Sequence, residues 1–157
     1  MDNVIVKTIT KNYRSVFAAR DFKKGELILN LNGKILTKDE LFKLSRYIND
    51  HCGIIGPEKY IIFGYPEKYI NHSCEPNVFD KNRKVIAMKD IKKGDELSYD
   101  YSIAGVDNCR MNCHCKTKNC RKIIQGYKSL PNNVREMYKR IGLIPKYLLE
   151  LEKQESQ

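Results

Sequence analysis

The sequence predicts a mainly β protein with short helices, and two observations carry that prediction. Apolar residues alternate with polar ones, or form short β-rich runs, over most of the first hundred positions. Helical spacing of apolar residues is confined to one short segment near position 40 and to the stretch after Pro131. With 157 residues and 41% hydrophobic content, the chain can form one domain with a packed core.

The first third of the chain contains the clearest strand patterns. Val4, Val6 and Ile9 alternate with polar residues, and further β-rich runs continue to Leu36. The pairs Lys24-Gly25 and Asn32-Gly33 separate these runs and are expected to form hairpin turns. Strand-like composition returns in three later segments: Lys59 to Gly64, Lys84 to Met88 and Glu96 to Tyr101.

A short internal repeat lies within this β-rich part. The segment from Asp21 to Glu26 (DFKKGE) recurs as Asp90 to Asp95 (DIKKGD), and each copy is followed by a β-rich stretch. Two copies do not make a repeat protein. We interpret each as a turn in which the glycine supplies a positive φ and the lysines are solvated.

Two regions predict helices. Thr37 and Glu40 form a capping-box pattern, and apolar residues at helical spacing follow, so we expect a helix from about Lys38 to Ile48. After Pro131 a second helical face appears, with Gly142 able to end that helix and Pro145 able to open another.

The cysteines suggest a metal site. No apolar run reaches the roughly 20 residues of a membrane span, and positions 1–10 lack the apolar stretch of a signal peptide. We therefore expect no membrane association and a reducing compartment, where six cysteines are unlike a disulfide framework. Cys113, Cys115 and Cys120 offer three soft ligands on one short loop, which favours tetrahedral zinc.

The fourth zinc ligand has three candidates on sequence grounds: Cys74, Cys109 and His114. His114 stands between two ligands, so its side chain should point elsewhere. Spacing alone favours Cys109, because Cys74 requires a distant turn to reach the loop. Free buried thiols are the alternative to a metal.

Two further segments are dense in polar and aromatic residues. The first, which we call the polar turn, runs from Asn71 to Asn77 (NHSCEPN), and the second runs from Gly94 to Tyr101 (GDELSYDY). Tyr99 and Tyr101 alternate, so a strand would place both on one face. Such a pair either packs in a core or lines a narrow aromatic channel for a cation. No Ser-His-Asp set or phosphate loop accompanies them, which argues against hydrolysis and phosphoryl transfer.

Together these segments resemble a known family. Asn71-His72-Ser73-Cys74-x-Pro76-Asn77, then Gly94-Asp95-Glu96-Leu97-x-Tyr99-Asp100-Tyr101, then Cys113-x-Cys115-x4-Cys120-Arg121 are similar to the motifs of SET-domain protein lysine methyltransferases with a post-SET zinc segment. The region after Leu130 is similar to the C-terminal annex of small single-domain members.

The resemblance implies a SET-domain β-clip fold with knot-like threading, which is rare among folds. It implies a SET domain at 1–108, a post-SET zinc-binding segment at 109–126 and a helical C-terminal extension at 127–157. It also implies that Cys74, rather than Cys109, joins Cys113, Cys115 and Cys120 around a structural Zn²⁺. Cys52 and Cys109 are then ordinary thiols.

The implied cofactor is S-adenosyl-L-methionine. Asn71 and His72 match the family's cofactor contacts, and Tyr101 matches its active-site tyrosine. The family's Gly-x-Gly loop aligns with Tyr13-Arg14-Ser15, where both glycines are absent. Backbone contacts through Arg14 and Ser15 would survive that change, but a positive φ at Tyr13 or Ser15 would cost about 1 kcal/mol or more each.

The implied reaction is methyl transfer to a lysine amine. Tyr101 would orient the amine, and Tyr99 occupies the family's Phe/Tyr switch position, which favours monomethyl-lysine as the product. The implied partner is a lysine-containing protein or peptide, with a histone tail as one candidate. The alternative is a catalytically weak SET-like module that binds a peptide or nucleic acid, for which the missing glycines argue.

Charge constrains the partner. The formal net charge is +10, so a basic histone-like substrate needs local acidity on a surface that is repulsive in sum, whereas non-specific contact with DNA is favoured. The predicted location is cytoplasmic for an endogenous substrate, and host nuclear or chromatin-bound for a secreted effector.

Overall fold

A computed structural model describes residues 3–44, 51–103 and 110–155 of the chain. The chain divides into two compact units. The first consists of Met1–Gly33, Phe63–Asp100 and Cys113–Lys122, and the second of Lys34–Ile62, Tyr101–Asn112 and Ile123–Gln157.

Strands dominate the described residues and helices are few and short, which confirms the predicted mainly β class. In chain order the strands are β1 (Val4–Thr10), β2 (Tyr13–Ala18), β3 (Leu27–Asn30), β4 (Gly33–Thr37), β5 (Cys52–Gly56), β6 (Lys59–Phe63), β7 (Asn71–His72), β8 (Val78–Asp80), β9 (Lys84–Ala87), β10 (Ser98–Tyr99), β11 (Met111–Asn112) and β12 (Ile123–Ile124). The helices are α1 (Lys38–Phe42), α2 (Asn132–Arg140) and α3 (Lys146–Glu155).

The first unit contains three small sheets around one apolar core. β1 and β2 form an antiparallel hairpin, β9 lies between β3 and β8 in an antiparallel sheet, and β7 pairs with β10 in parallel. Val16 and Ala18 face the core from β2 at the two-residue period of a strand. Other buried core side chains come from the rest of the unit: Phe22, Ile28, Leu31, Ile70, Val78, Val85, Ala87, Ile91 and Leu97.

The expected hairpins around Lys24-Gly25 and Asn32-Gly33 are wrong. β3 pairs with β9 and β4 pairs with β6, so neither strand forms a hairpin with its neighbour in sequence. The partner is determined by packing over a long range: Ile28 of β3 and Val85 of β9 belong to the same buried cluster. The first of these turns itself contacts β9, since Gly25 N donates to Ala87 O at 2.8 Å.

The repeated Asp-x-Lys-Lys-Gly segments contact each other directly. We call this pair of turns, residues 21–25 and 90–94, the turn clasp. Phe22 and Ile91 exchange two backbone hydrogen bonds, of 2.8 and 2.9 Å, and both side chains are 1% exposed. The repeat therefore forms a mutual contact, which the sequence interpretation of two independent turns did not include.

In the turn clasp, the aspartate of each turn accepts hydrogen bonds from the lysines of the other turn. Asp21 accepts hydrogen bonds from Lys92 Nζ and Lys93 N, each at 2.8 Å, and Asp90 accepts from Lys23 Nζ at 2.7 Å and Lys24 N at 3.0 Å. Gly25 and Gly94 have φ values of 84° and 90°, which confirms the predicted role of the glycines.

The second unit contains the sheet β4-β6-β5, the short pair β11-β12 and the three helices. Leu36, Leu41 and Tyr60 form a small buried cluster on the sheet side. The helical part buries its own set of side chains: Tyr127, Leu130, Tyr138, Leu143, Ile144, Tyr147 and Leu148. Within the described residues, none of the helices is long and apolar enough to cross a membrane.

The capping box at the start of α1 is confirmed. Glu40 N donates to the Thr37 hydroxyl at 3.3 Å, and Thr37 N donates to Glu40 Oε2 at 2.8 Å. The helix ends at Phe42, earlier than expected, because Leu44 N bonds to Leu41 O in a tighter turn. The predicted remainder of the helix to Ile48 lies outside the described residues from position 45 onward.

The two C-terminal helices are confirmed as α2 and α3. Gly142 follows α2 with a φ of 69°, and the Leu143 N–H bonds to Tyr138 O at 2.9 Å, a glycine-terminated helix end of the expected kind. Pro145 precedes α3, and its carbonyl accepts from Leu148 N at 3.0 Å.

Candidate functional site

Four cysteine sulfurs of the first unit converge on one point. The Sγ atoms of Cys74, Cys113, Cys115 and Cys120 all lie within 4.8 Å of one another, and those of Cys74 and Cys113 are 3.7 Å apart. Tetrahedral zinc with sulfur at about 2.3 Å places its ligands about 3.8 Å apart. The four-thiol donor set and its spacing therefore fit a structural zinc ion.

Local backbone geometry brings three of these thiols together. Cys113 N donates to Lys122 O at 2.7 Å, which closes the loop of residues 113–122, and Lys116 and Lys122 adopt positive φ values of 57° and 67° within it. His114 is exposed. Cys74 comes from the polar turn 39 positions earlier, and Cys109, the ligand that spacing favoured, lies outside the described residues.

The thiols differ in their ionisation. Burial raises the pKa of Cys113 to about 12 and also raises the pKa of Cys74. Burial acts in the same direction on Cys115, but hydrogen bonds with the Thr117 hydroxyl and nearby backbone groups outweigh it and lower the pKa of Cys115 to about 6. Zinc binds thiolates, so a divalent cation would supply the charge that stabilises four ionised sulfurs side by side.

A buried ion pair joins the loop of residues 113–122, which we call the cysteine loop, to the segment from Gly94 to Tyr101, which we call the tyrosine segment. Arg121 Nη2 lies 2.6 Å from Asp100 Oδ1 and Nη1 lies 2.8 Å from Oδ2, a two-pronged geometry. The Asp100 side chain is 0% exposed and that of Arg121 is 13% exposed. Arg121 also donates its backbone N–H to Cys74 Sγ at 3.3 Å.

His72 connects the same groups from the polar turn. Its Nδ1 lies 3.6 Å from Asp100 Oδ1, and its Nε2 lies 3.4 Å from Cys74 Sγ. Burial lowers the pKa of His72 to about 4, assisted by the Arg121 charge and opposed by Asp100. The imidazole is therefore neutral at physiological pH, and its ring faces Asp100 and the cysteine cluster.

The polar turn is hydrogen-bonded along β10. In the parallel pair, Asn71 lies opposite Ser98 and His72 lies opposite Tyr99. The buried Asn77 side chain closes the turn, since its Nδ2 donates to Glu96 O at 2.8 Å and its Oδ1 accepts from Ser98 N at 2.8 Å. The polar turn and β10, which are about twenty positions apart in the sequence, therefore lie side by side and form one surface.

The expectation of two tyrosines on one strand face is wrong. Tyr99 lies in β10, but Tyr101 begins a 3-10 helix, Tyr101–Ile103, that belongs to the second unit. The ladder of β10 ends after two residues because Asp100 turns inward to Arg121. Tyr101 is half-buried.

The residues aligned with the glycine loop lie in ordinary extended backbone. Tyr13 to Ser15 open β2, and neither Tyr13 nor Ser15 is among the described residues with positive φ. The strain expected from the missing glycines is therefore absent. Arg14 O accepts from Asn71 Nδ2 at 2.9 Å, and Arg14 Nη1 donates to the Tyr69 hydroxyl at 3.0 Å.

Glu96 is a residue of this surface to which sequence reasoning assigned no cofactor role. Its Oε1 accepts hydrogen bonds from the buried Ser15 hydroxyl, from the Tyr13 hydroxyl at 3.4 Å and from Asn71 Nδ2 at 3.5 Å. Side chains from the start of β2 and from the polar turn, Tyr13, Ser15 and Asn71, thus meet around one carboxylate. The sequence signal for such a role was that Glu96 lies in the same segment as Tyr99 and Tyr101.

Comparisons with known proteins give matches both of sequence and of fold. Residues 13–102 match the family model of the SET domain. Histone-lysine N-methyltransferase 2D of Homo sapiens is 35% identical over 124 residues, which cover 68% of this chain and 2% of that protein. The chain thus spans a small fraction of that relative's length.

Two solved structures share the fold. The structure of Arabidopsis thaliana SUVH6 in complex with SAM gives a TM-score of 0.65 at 18% identity, covering 77% of this chain and 33% of that one. The methyltransferase domain of human Histone-lysine N-methyltransferase SETMAR gives a TM-score of 0.62 at 21% identity, covering 80% of this chain and 59% of that one. These likenesses support the β-rich SET fold.

Proposed function

Because the chain belongs to the SET-domain family, we propose that it is an S-adenosyl-L-methionine-dependent protein-lysine N-methyltransferase. The observation that carries the proposal is the joining of the polar turn, β10 and the cysteine loop through Asp100, Arg121 and Cys74. The SET-domain match covers the polar turn and β10, and relatives at this similarity are named histone-lysine methyltransferases.

The cofactor would be held by Arg14, Ser15, Asn71, His72 and Tyr101. Asn71 Oδ1 accepts no hydrogen bond from any described residue, while the amide nitrogen is held by Arg14 O. An unsatisfied acceptor beside a carboxylate fits the α-ammonium group of S-adenosylmethionine. His72 would contribute through its backbone, because both of its ring nitrogens face Asp100 and Cys74.

Methyl transfer to lysine depends more on the alignment of the lysine amine than on acid-base groups. When bound, S-adenosylmethionine supplies a sulfonium methyl that is already activated for transfer. A lysine amine has a pKa of about 10.4 in water, so the site must favour its neutral form by desolvation. We assign Tyr101 to orient the amine in line with the methyl group at near-attack distance.

Tyr99 would limit the degree of methylation. A hydroxyl at this position leaves less room for an amine that already carries methyl groups, so we expect mainly monomethyl-lysine. The Tyr99→Phe variant should shift the products toward dimethyl- and trimethyl-lysine. Mass spectrometry of a methylated substrate measures this distribution, and an unchanged distribution would show that Tyr99 does not limit methylation.

Zinc would be structural in this account. Cys74 lies two positions after His72, so a metal at the four thiols ties the polar turn to the loop of residues 113–122. Metal loss should therefore reduce cofactor binding as well as stability.

The substrate would be a lysine-containing protein, and a histone tail is a candidate because the relatives act on histones by name. A net charge of +10 opposes a basic tail at long range, whereas it favours non-specific contact with the DNA of a nucleosome.

Calorimetric titration with S-adenosylmethionine tests the proposal against a binding module without turnover. We expect saturable binding by the zinc-loaded protein, and transfer to lysine that is lost in Tyr101→Phe. Tyr65→Phe is the matched control, because Tyr65 is 68% exposed and has no assigned role. Absence of binding at millimolar cofactor would contradict the proposal.

A further inference from the structure

We propose that Glu96 binds the α-ammonium group of the cofactor's amino-acid end, together with Asn71 Oδ1. This inference rests on the proposed function, which supplies the cofactor.

The Glu96 carboxylate has neutral hydrogen-bond donors and, in the described part of the chain, no basic partner. Asp100 and Glu26 of the same unit, by contrast, pair with Arg121 and Arg20. Among the residues that the structure describes, Glu96 has no cation within 4 Å; its Oε1 instead receives three neutral donors. In a chain of net charge +10, a carboxylate without a protein cation is available to bind a cationic ligand.

Asn71 and Glu96 each have one side-chain oxygen that accepts no hydrogen bond from the described residues. Nδ2 of Asn71 must face Arg14 O, because a carbonyl can only accept, and this leaves Oδ1 directed away from Arg14. Oε2 of Glu96 accepts nothing from the described parts of the chain, and Asn71 Nδ2 lies 3.5 Å from the other oxygen, Glu96 Oε1. An ammonium has three N–H donors, and these two oxygens would accept two of them.

The Glu96 carboxylate is held at one of its two oxygens. The Ser15 side chain that donates to Glu96 is 0% exposed, and the backbone of Glu96 forms a bridge with Phe17 on β2. Asn77 fixes the same segment by bonding to Glu96 O at 2.8 Å. These contacts hold the backbone of Glu96 and its Oε1, while the residue itself stays exposed, so Oε2 is accessible to a ligand.

The ligand itself offers a means of separating the two cationic groups. S-adenosylmethionine carries a sulfonium and an ammonium, whereas S-adenosylhomocysteine carries the ammonium alone. A residue that binds the ammonium affects both ligands equally. A residue that faces the sulfonium affects S-adenosylmethionine only.

The experiment measures the dissociation constants of both ligands, and of deaminated S-adenosylhomocysteine, by calorimetry on wild type and Glu96→Gln. Glutamine retains an oxygen for Ser15 but removes the charge. We expect Glu96→Gln to weaken both natural ligands by about 10- to 100-fold, by the same factor, and to leave the deaminated analogue unchanged. Glu58→Gln is the control for net charge, since its contact with Lys38 is long, at 3.8 Å, and exposed.

A variant that failed to fold would not bind the deaminated analogue either, so binding of that analogue by Glu96→Gln shows that the site is intact. If Glu96→Gln does not bind the analogue, the experiment is repeated with Glu96→Asp. That variant keeps the charge and should retain tight binding. Equal affinities in wild type and Glu96→Gln would overturn the role of Glu96 and leave the proposed function standing. Loss of affinity for S-adenosylmethionine alone would also overturn it, in favour of the sulfonium. Failure of the wild type to bind either natural ligand would overturn the proposed function and this inference with it.

Discussion

Two regions of the first unit use acidic and basic side chains to join distant parts of the chain, and they do so in opposite ways. In the turn clasp, the paired Lys and Asp side chains are between 54% and 81% exposed. In the region around Cys74, Asp100 is 0% exposed and is paired with Arg121 beside four converging thiols.

The difference in burial determines what each region contributes. Exposed ion pairs are screened by water and salt, so the turn clasp depends mainly on its backbone bridge and on buried Phe22 and Ile91. A buried charge that loses its partner is strongly destabilising, so the cysteine region depends on every member being present. Substitution of a charged side chain should therefore destabilise the cysteine region much more than the turn clasp.

Removal of a zinc ligand should have the largest effect. Cys74→Ser leaves three thiols and a gap in the tetrahedral set, so we expect loss of bound zinc and a fall of about 5 kcal/mol or more in the free energy of unfolding. Metal content and urea unfolding, with and without chelator, measure this. Cys52→Ala lies outside the cluster and should retain zinc; retention of zinc by Cys74→Ser would refute the four-ligand site.

Separation of the buried ion pair should have the next largest effect. Arg121→Met leaves the Asp100 carboxylate buried and unpaired, and we expect a loss of about 3–5 kcal/mol in the free energy of unfolding. The double variant Asp100→Asn, Arg121→Met should lose less than the sum of the single variants. Additive losses would mean that the 2.6 Å contact contributes no coupling energy.

Glycine substitution in the turn clasp should cost less. Nothing lies within 4 Å of a Cβ built at Gly25 or Gly94, so only their φ values of 84° and 90° oppose alanine. We expect about 1 kcal/mol for each Gly→Ala variant, measured by urea unfolding. Gly56→Ala, whose backbone lacks a positive φ, should not destabilise; equal losses at all three positions would contradict the account.

Exchange of the exposed acids should have the smallest effect. Hydrogen bonds from Lys92 and Lys93 lower the pKa of Asp21, and those from Lys23 and Lys24 lower the pKa of Asp90. A lowered folded-state pKa stabilises the fold above the ordinary value of about 4, and this contribution disappears as pH falls through the folded-state pKa. The melting temperature of Asp21→Asn should therefore approach that of wild type at low pH and at high salt. A persistent difference in acid would show that the ion pair is not its cause.

The features that the sequence predicted correctly are those that depend on neighbouring residues. The capping box of Thr37 and Glu40, the positive φ of Gly25 and the glycine end of α2 each follow from interactions within a few positions. These devices act locally, so patterns of a few letters are enough to identify them.

Features that join distant positions could not be derived from local patterns. Spacing favoured Cys109 over Cys74, and only the family resemblance brought the polar turn to the cysteine loop. The pairing of β3 with β9 likewise depends on which apolar faces meet in the core. Tyr101 lies in a 3-10 helix and not in the predicted strand, because Asp100, the residue before it, pairs with Arg121.

Transfer of a labelled methyl group is the direct test of whether this chain methylates lysine. Zinc-loaded protein incubated with methyl-labelled S-adenosylmethionine and mixed core histones should place the label in methyl-lysine after hydrolysis to amino acids. The Tyr101→Phe variant should place little or none there, although it still binds the cofactor. Cofactor binding by the wild type without label in methyl-lysine, from histones or from a lysate of the source cell, would contradict the account.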